Sequence, residues 1–237
     1  MENIKKTLSD FLSPQAARKW IMLLPTIQTI ENIKAKFRLI DNASNREELC
    51  DYLCELRYAL IFKFLGFDII AEPLGNKGPD FRIDRNGMQI MLECMRFRRV
   101  HPGPFEEGLS DDSTGLEYGD IQRDTQKACS KIKNKDHQVS GYDSLIAIWN
   151  NEGDLEELEV RLAIHQLIAD SNAERYPLPQ GLMAVVYGSN WKNHASGKQV
   201  FCFEVVEPTP PVSKWFEELR SIDVDRVLNT LSIRSLP

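Results

Sequence analysis

The sequence predicts a mixed α/β fold, and the main observation is a change in hydrophobic period near residue 66. Before that point, apolar residues recur every three or four positions, as they do in amphipathic helices. After it, short apolar runs alternate with turn signals, as they do in strands. The chain has 237 residues, enough for one large core with extensions. We therefore predict a single α/β assembly with a helical start.

Three segments follow from this pattern. Residues 1–44 are predicted to be a helical N-terminal extension, and residues 45–150 are predicted to be the core. Residues 151–237 are predicted to be a C-terminal α/β elaboration packed on that core.

Composition narrows the class of protein. Hydrophobic residues make up 42% of the chain and charged residues 27%, as in ordinary globular domains. No apolar run approaches the roughly 18 residues that span a bilayer, and the N-terminus lacks the long apolar stretch of a signal peptide. A net charge of −6 argues against a protein that coats nucleic acid without specificity, but it permits a local basic groove. We expect a cytoplasmic protein with no membrane partner.

The helices before residue 66 have recognisable ends. Ser13 followed by Pro14 is a typical helix start. A second helical pattern has apolar residues at spacings of three and four, and these are Ile27, Ile30, Ile33, Phe37 and Ile40. The longest helix is predicted from Asn45 to about Leu65, where Gly66 ends it.

Strands dominate after residue 66. "FDIIAEP", "PDFRID" and "MQIMLECMRF" are predicted strands, and the "NG" of the second connection is a strong hairpin signal. A polar loop is predicted over 99–118 and a helix over 119–135. "SLIAIW" is a strand of the fully buried kind. The rest is predicted as the helix "DLEELEVRLAIHQLIAD", the strands "GLMAVVYG" and "KQVFCFEVVE", and the short helix "PPVSKWFEELRSI".

The hairpin brings two acids together. A two-residue turn at Asn-Gly pairs Arg85 with Met88, so counting back places Asp80 opposite Glu93. Two neighbouring carboxylates repel each other unless a positive charge lies between them. Magnesium is one such charge, because it takes one or two carboxylates and keeps open positions for a phosphate.

A second interpretation of these acids needs no metal. Asp80 and Glu93 are then exposed acids on a plain hairpin, partnered by Arg82 or Arg96 across the strands. The residues alone leave both interpretations open.

Residues 46 to 98 resemble the PD-(D/E)XK nuclease superfamily, whose fold is restriction-endonuclease-like. The resemblance rests on "ELRYALIFKFLGFDI", on "KGPDF", and on "LEC" followed by basic residues. In that family a helix precedes three antiparallel strands, and a helix and a fourth strand follow. The order of helices and strands predicted over 45–149 matches the order in that family. The resemblance implies a metal-dependent nuclease that hydrolyses DNA phosphodiesters with Mg²⁺ or Mn²⁺.

The family's site residues carry over to named positions. Asp80 matches the acid of the family's Pro-Asp, and Glu93 matches its second acid, so both are implied metal ligands. The backbone carbonyl of Cys94 is implied as a third ligand. Glu55, on the preceding helix, matches an acid that many members add to the metal shell. Glu55 also has a purely structural interpretation, as an exposed helix acid paired with a neighbouring Arg or Lys.

Met95 departs from the family pattern. The family places Lys there, to activate the attacking water and to stabilise negative charge near the phosphate. Met has a similar length but no charge and no proton to donate. Arg96 is adjacent, but strand alternation points it to the other face. Lysines that are candidates for a relocated amine are Lys127, Lys131 and Lys77.

Several polar residues around the acids are expected to contact DNA, and an ordinary surface role is the alternative for them. They are Lys77, Arg96, Arg98, Arg99 and Gln122.

Two functions therefore remain. One is an active nuclease whose lysine is relocated, and the other is a catalytically inactive nuclease fold that binds nucleic acid or a protein partner. The helical N-terminus also leaves self-association into a homo-oligomer open. The feature that separates the two functions is whether a lysine amine reaches the pair formed by Asp80 and Glu93.

Overall fold

A computed structural model of the chain shows a six-stranded sheet with helices packed on both faces. It confirms the mixed α/β fold. The backbone is described over 2–75, 77–97, 121–150, 157–192 and 199–206. Within these ranges the side chains of 121–123, 190–192 and 199–205 are not described. The predicted polar loop at 99–118 and the predicted helix after residue 207 lie outside the described residues.

Four helices precede the sheet: α1 (Glu2–Phe11), α2 (Pro14–Ile27), α3 (Lys34–Asp41) and α4 (Arg46–Phe64). The predicted start of α2 is confirmed, because the Ser13 side chain accepts a hydrogen bond from the backbone of Ala16 at 3.3 Å. At the start of α4, Asn45 likewise accepts from the backbone of Glu48 at 2.9 Å.

The helical pattern over Ile27 to Ile40 is interrupted, which corrects the sequence prediction. Between α2 and α3 the chain becomes extended at Glu31, whose backbone N–H donates to Ile69 at 3.2 Å. The Glu31 carbonyl in turn accepts from Ala71 at 2.9 Å. This pairing with a distant strand overrides the local helical preference and places the start of α3 beside the sheet edge.

The six strands are β1 (Asp68–Ala71), β2 (Phe81–Arg85), β3 (Met88–Phe97), β4 (Ser144–Asn150), β5 (Leu182–Lys192) and β6 (Gln199–Val205), in that spatial order. The pairs β1–β2, β2–β3 and β5–β6 are antiparallel, whereas β3–β4 and β4–β5 are parallel. The predicted hairpin turn is confirmed, since both Asn86 and Gly87 have positive φ. The strands β5 and β6, from the segment predicted as the C-terminal elaboration, extend the same sheet.

The remaining helices are α5 (Ile121–Asn134), the short α6 (Asp136–Val139) and α7 (Glu157–Asn172). Two apolar clusters separate the layers. One lies between the sheet and α1 to α4, and it contains Leu92 and Cys94 of β3. The other lies between the sheet and α5 with α7, and it contains Met95 and Phe97. No helix in the described part of the chain is long and apolar enough to cross a membrane.

Candidate functional site

The hairpin register places Asp80 beside β3, as predicted. Arg85 pairs with Met88 and Phe81 pairs with Leu92, so Asp80, immediately before β2, comes next to Glu93. The backbone N–H of Cys94 donates to the Asp80 carboxylate at 2.9 Å. The Asp80 backbone carbonyl accepts from Glu72 at 2.8 Å. These two hydrogen bonds fix both the backbone and the side chain of Asp80 at the end of the hairpin.

Lys36 of α3 is paired with three acids. Its Nζ lies 2.6 Å from Asp80 Oδ1, 2.7 Å from Glu55 Oε2 and 3.6 Å from Glu72 Oε1. The Lys36 side chain is 5% exposed. Burial lowers the pKa of Lys36, but the charges of Asp80 and Glu55 outweigh it and raise that pKa above its ordinary value. Lys36 is therefore a fixed, charged ammonium within this cluster.

Glu55 is brought to the cluster by α4. The alternative that Glu55 is an exposed helix acid is wrong, because its side chain is mostly buried and contacts Lys36. Burial and the charge of Asp80 raise the pKa of Glu55 to about 8, against the opposing effect of Lys36. Glu55 and Asp80 thus share one cation.

Glu93 is paired with a different lysine. The carboxyl group is 1% exposed, and its Oε1 lies 2.5 Å from Nζ of Lys135, the residue that follows α5. Its Oε2 is buried and has no hydrogen-bond partner among the described residues. Burial and the charge of Asp80 raise the pKa of Glu93 to about 7, whereas Lys135 and Lys36 oppose that rise. This oxygen is a polar group that the described part of the fold leaves unsatisfied.

The interpretation of the acids as exposed residues paired with arginines is wrong. Arg82 pairs with Asp84 on its own strand at 3.0 Å. Arg96 points toward α4, as strand alternation predicted, and its guanidinium contacts Asp51 at 2.9 Å and also the carboxylate of Glu47. With its side chain 3% exposed, Arg96 is already engaged by acids. This placement does not favour Arg96 as a contact for DNA.

Met95 supplies no functional group to the site. It is 8% exposed and packs in the apolar cluster with α5 and α7. Among the predicted substitutes, Lys127 pairs with Asp124 at 3.0 Å, and Lys131 donates to the backbone carbonyl of Arg96 at 3.5 Å. Lys77 is exposed at the surface. The contacts with Asp80 and Glu93 that the sequence analysis assigned to these lysines are made by Lys36 and Lys135.

Some predicted contacts cannot be placed. Arg98 and Arg99 lie outside the described residues, and at Gln122 only the backbone is described. Their proposed contacts with DNA stay predictions.

Sequence reasoning missed Lys36 and Lys135 for different reasons. Lys36 lies three residues after Ile33 and four before Ile40, on the apolar side of its helix, and a lysine in that position signals a buried ion pair. Lys135 lies 42 residues from Glu93 in the chain. It ends a basic run whose local pattern is that of an ordinary solvated face.

The donor chemistry suits a hard divalent cation in part. Carboxylate oxygens and a backbone carbonyl are the ligands that Mg²⁺ takes, and the register places Asp80 and Glu93 next to each other on neighbouring strands of the hairpin. The unsatisfied Oε2 of Glu93 is the observation that fits a cation. Against this, the described residues contain no group of three His, Cys, Asp or Glu side chains that could hold a metal ion. At Asp80 and Glu55 the positive charge is already supplied by Lys36.

Comparisons with known proteins add little. No family model and no curated protein matches the chain. The chain is similar to a solved structure described as a "CdiA-CT/CdiI toxin and immunity complex from Burkholderia pseudomallei". It is 18% identical over 70% of this chain and 92% of that chain, with a TM-score of 0.34. A likeness this weak carries no argument about fold or function.

Proposed function

We propose that the protein is a metal-dependent nuclease that hydrolyses DNA phosphodiesters through Asp80 and Glu93, with Lys135 in the role of the missing motif lysine. One observation carries this proposal. The Lys135 amine contacts Glu93 at 2.5 Å, although Met95 offers no amine from β3 itself. A lysine amine at the acid pair is the feature that separates an active nuclease from an inactive one.

The order of elements supports the proposal. The series α4, β1, β2, β3, α5 and β4 follows the order that the family resemblance implies, with the short α6 added before β4. We assign the restriction-endonuclease-like core to this series. Within it, α4 carries Glu55, the β2–β3 hairpin carries Asp80 and Glu93, and Lys135 directly follows α5.

In this proposal Mg²⁺ or Mn²⁺ would be held by Asp80, Glu93 and the backbone carbonyl of Cys94. Such a cation polarises a phosphoryl oxygen and lowers the pKa of a bound water. The fold orients these ligands without a metal. The Cys94 N–H holds the Asp80 carboxylate in place, and the buried Glu93 keeps one oxygen without a hydrogen-bond partner in the described structure.

Lys135 is suited to act on a substrate because it is partly exposed. Its side chain is 27% exposed, whereas its partner Glu93 is almost fully buried. An ammonium in this position faces both the acid pair and solvent, so it stabilises negative charge that develops on a phosphate oxygen. A positioned charge of this kind contributes about 3–4 kcal/mol to catalysis, or roughly a hundred- to a thousand-fold in rate.

A second candidate function is a catalytically inactive nuclease fold that binds nucleic acid or a protein partner. The observation that favours it is the pairing of Lys36 with Asp80 and Glu55, because this lysine already places a positive charge between the two acids without a metal. Arg96 is also committed to acids on α4.

Cleavage of plasmid and single-stranded DNA with Mg²⁺, with Mn²⁺ and with a chelator separates the two functions. The proposal predicts metal-dependent cutting by the wild type that is lost in Asp80→Ala. Asp84→Ala is the matched control, since Asp84 lies on β2, close to Asp80 in the chain, but pairs with Arg82. A folded wild type that cuts neither substrate with either metal contradicts the nuclease. Retention of DNA binding in a fluorescence anisotropy titration then supports the inactive module.

A further inference from the structure

The Lys36 ammonium lies among three carboxylates. Three carboxylates from three parts of the chain converge on one buried nitrogen: Glu55 from α4, Glu72 after β1, and Asp80 before β2. The two shortest contacts are 2.6 and 2.7 Å. An ammonium has three N–H donors, and Asp80 and Glu55 each accept one of them, whereas Glu72 at 3.6 Å makes an ion-pair contact only.

A cation at this point is an electrostatic requirement of the fold. Glu55 and Asp80 both lie within 2.7 Å of one nitrogen and are 16% and 13% exposed, and two like charges held so close in a largely buried place repel each other unless a positive charge lies between them. Either a lysine or a divalent ion with oxygen ligands can meet that requirement. The chain meets it with a side chain from α3.

We propose that the Lys36 ammonium takes the place of a divalent cation between Asp80 and Glu55, so that the chain holds one metal ion fewer than its carboxylates would otherwise bind. The inference deepens the proposed function and rests on it for the ion assigned to Asp80 and Glu93. The evidence for the place of Lys36 in the cluster is its own contacts with the acids, and it does not depend on the proposed function.

The position of α3 gives this inference a structural consequence. The Glu31 bridge to β1 interrupts the preceding helical pattern and sets where α3 begins. Lys36 then reaches the cluster from the N-terminal segment, outside the core predicted for residues 45–150. The N-terminal segment therefore completes the site, and its role goes beyond covering the sheet.

Manganese binding to the full-length chain tests this directly. Free Mn²⁺ is counted by electron paramagnetic resonance during a titration of wild type, Lys36→Met and Lys133→Met. Methionine keeps the length of lysine but removes the charge, so it opens the cation position to a metal. We expect Lys36→Met to bind one more Mn²⁺ per chain than the wild type. Lys133 pairs with Asp170 away from the cluster, so Lys133→Met should bind as the wild type does.

The result is the difference between variant and wild type, so it does not depend on the nuclease proposal. If the wild type binds no Mn²⁺ and Lys36→Met binds one, the inference stands and the metal-dependent nuclease fails. If both bind the same number, the inference is overturned, whatever the wild type cleaves.

Folding of the variant is followed in the same samples by thermal unfolding. If Lys36 replaces a cation, Mn²⁺ must raise the midpoint of Lys36→Met by more than it raises that of the wild type. A variant that is unfolded without metal and regains its structure in Mn²⁺ also supports the inference. A variant that Mn²⁺ stabilises no more than the wild type, or that stays unfolded in millimolar Mn²⁺, contradicts it.

Discussion

Two lysines approach the same group of acids from opposite faces of the sheet, and they are held very differently. Lys36 comes from the layer of α1 to α4, is 5% exposed and contacts three carboxylates. Lys135 follows α5 on the other face, is 27% exposed and contacts Glu93. A buried ammonium shared among several acids is a fixed part of the fold. A partly exposed ammonium with one described carboxylate partner can leave that partner for a substrate phosphate at little cost in free energy. We therefore assign the catalytic role to Lys135 and a structural role to Lys36.

Removal of Lys36 should give the largest loss of stability. In Lys36→Met, Asp80 and Glu55 are left buried with no shared cation, and we expect a loss of about 3 kcal/mol in the free energy of unfolding. Lys135→Met should lose less than about 1 kcal/mol, because its ammonium is partly solvated and has one described carboxylate partner. Urea unfolding of the metal-free proteins measures both values.

The control for this comparison is Lys133→Met, which removes another partly buried lysine with one acidic partner. It should behave like Lys135→Met. Equal losses in Lys36→Met and Lys135→Met would show that the two lysines do not differ in the way their burial indicates.

The pH dependence of the free energy of unfolding tests how Glu93, the partner of Lys135, is held. Glu93 has a pKa of about 7 in the folded chain, against an ordinary value of 4.5 in the unfolded chain. The folded chain therefore binds more protons between these values, and the contribution of Glu93 to stability is lost as the pH rises toward 7. The slope is at most about 1.4 kcal/mol per pH unit. Glu55 acts in the same direction up to about pH 8.

Glu93→Gln removes this titration while keeping the shape of the side chain. In chelator, its free energy of unfolding should change less than that of the wild type between about pH 5 and pH 7. Asp80, Lys36 and Lys135, the charged groups that act on Glu93, are unchanged in the variant. If the free energy of unfolding of Glu93→Gln changed with pH as steeply as that of the wild type, Glu93 would not keep its proton up to about pH 7 in the folded chain.

Met95→Leu should have the smallest effect. Met95 is packed in an apolar cluster, and a replacement of similar volume costs less than about 1.5 kcal/mol. Its cleavage rate should match that of the wild type, because the proposed amine comes from Lys135. A clear loss of cleavage in a fully folded Met95→Leu would give Met95 a role in the site that its burial argues against.

The features that sequence reasoning placed correctly were set by local chemistry. Asn86 and Gly87 fix the hairpin turn through their positive φ, and the turn fixes the register that brings Asp80 to Glu93. Strand alternation also gave the face of Arg96. These inferences needed only neighbouring residues.

The features that sequence reasoning missed depend on distant pairings. The break at Glu31 is caused by β1, whose pairing residues lie almost forty positions along the chain. Lys135 meets Glu93 only because α5 packs back over the sheet and β4 runs parallel to β3. Local periodicity contains no information about either contact. The sequence therefore pointed to Lys127 and Lys131 in the middle of α5, whereas the lysine that contacts Glu93 directly follows that helix.

Single-turnover cleavage of DNA at saturating Mg²⁺ tests whether Lys135 supplies the amine that Met95 cannot. Wild type, Lys135→Met and the control Lys133→Met are compared after their folding is checked by circular dichroism. We expect Lys135→Met to cut roughly 100- to 1000-fold more slowly than the wild type, whereas Lys133→Met should cut at the wild-type rate. Cleavage by a folded Lys135→Met at the wild-type rate would contradict the account.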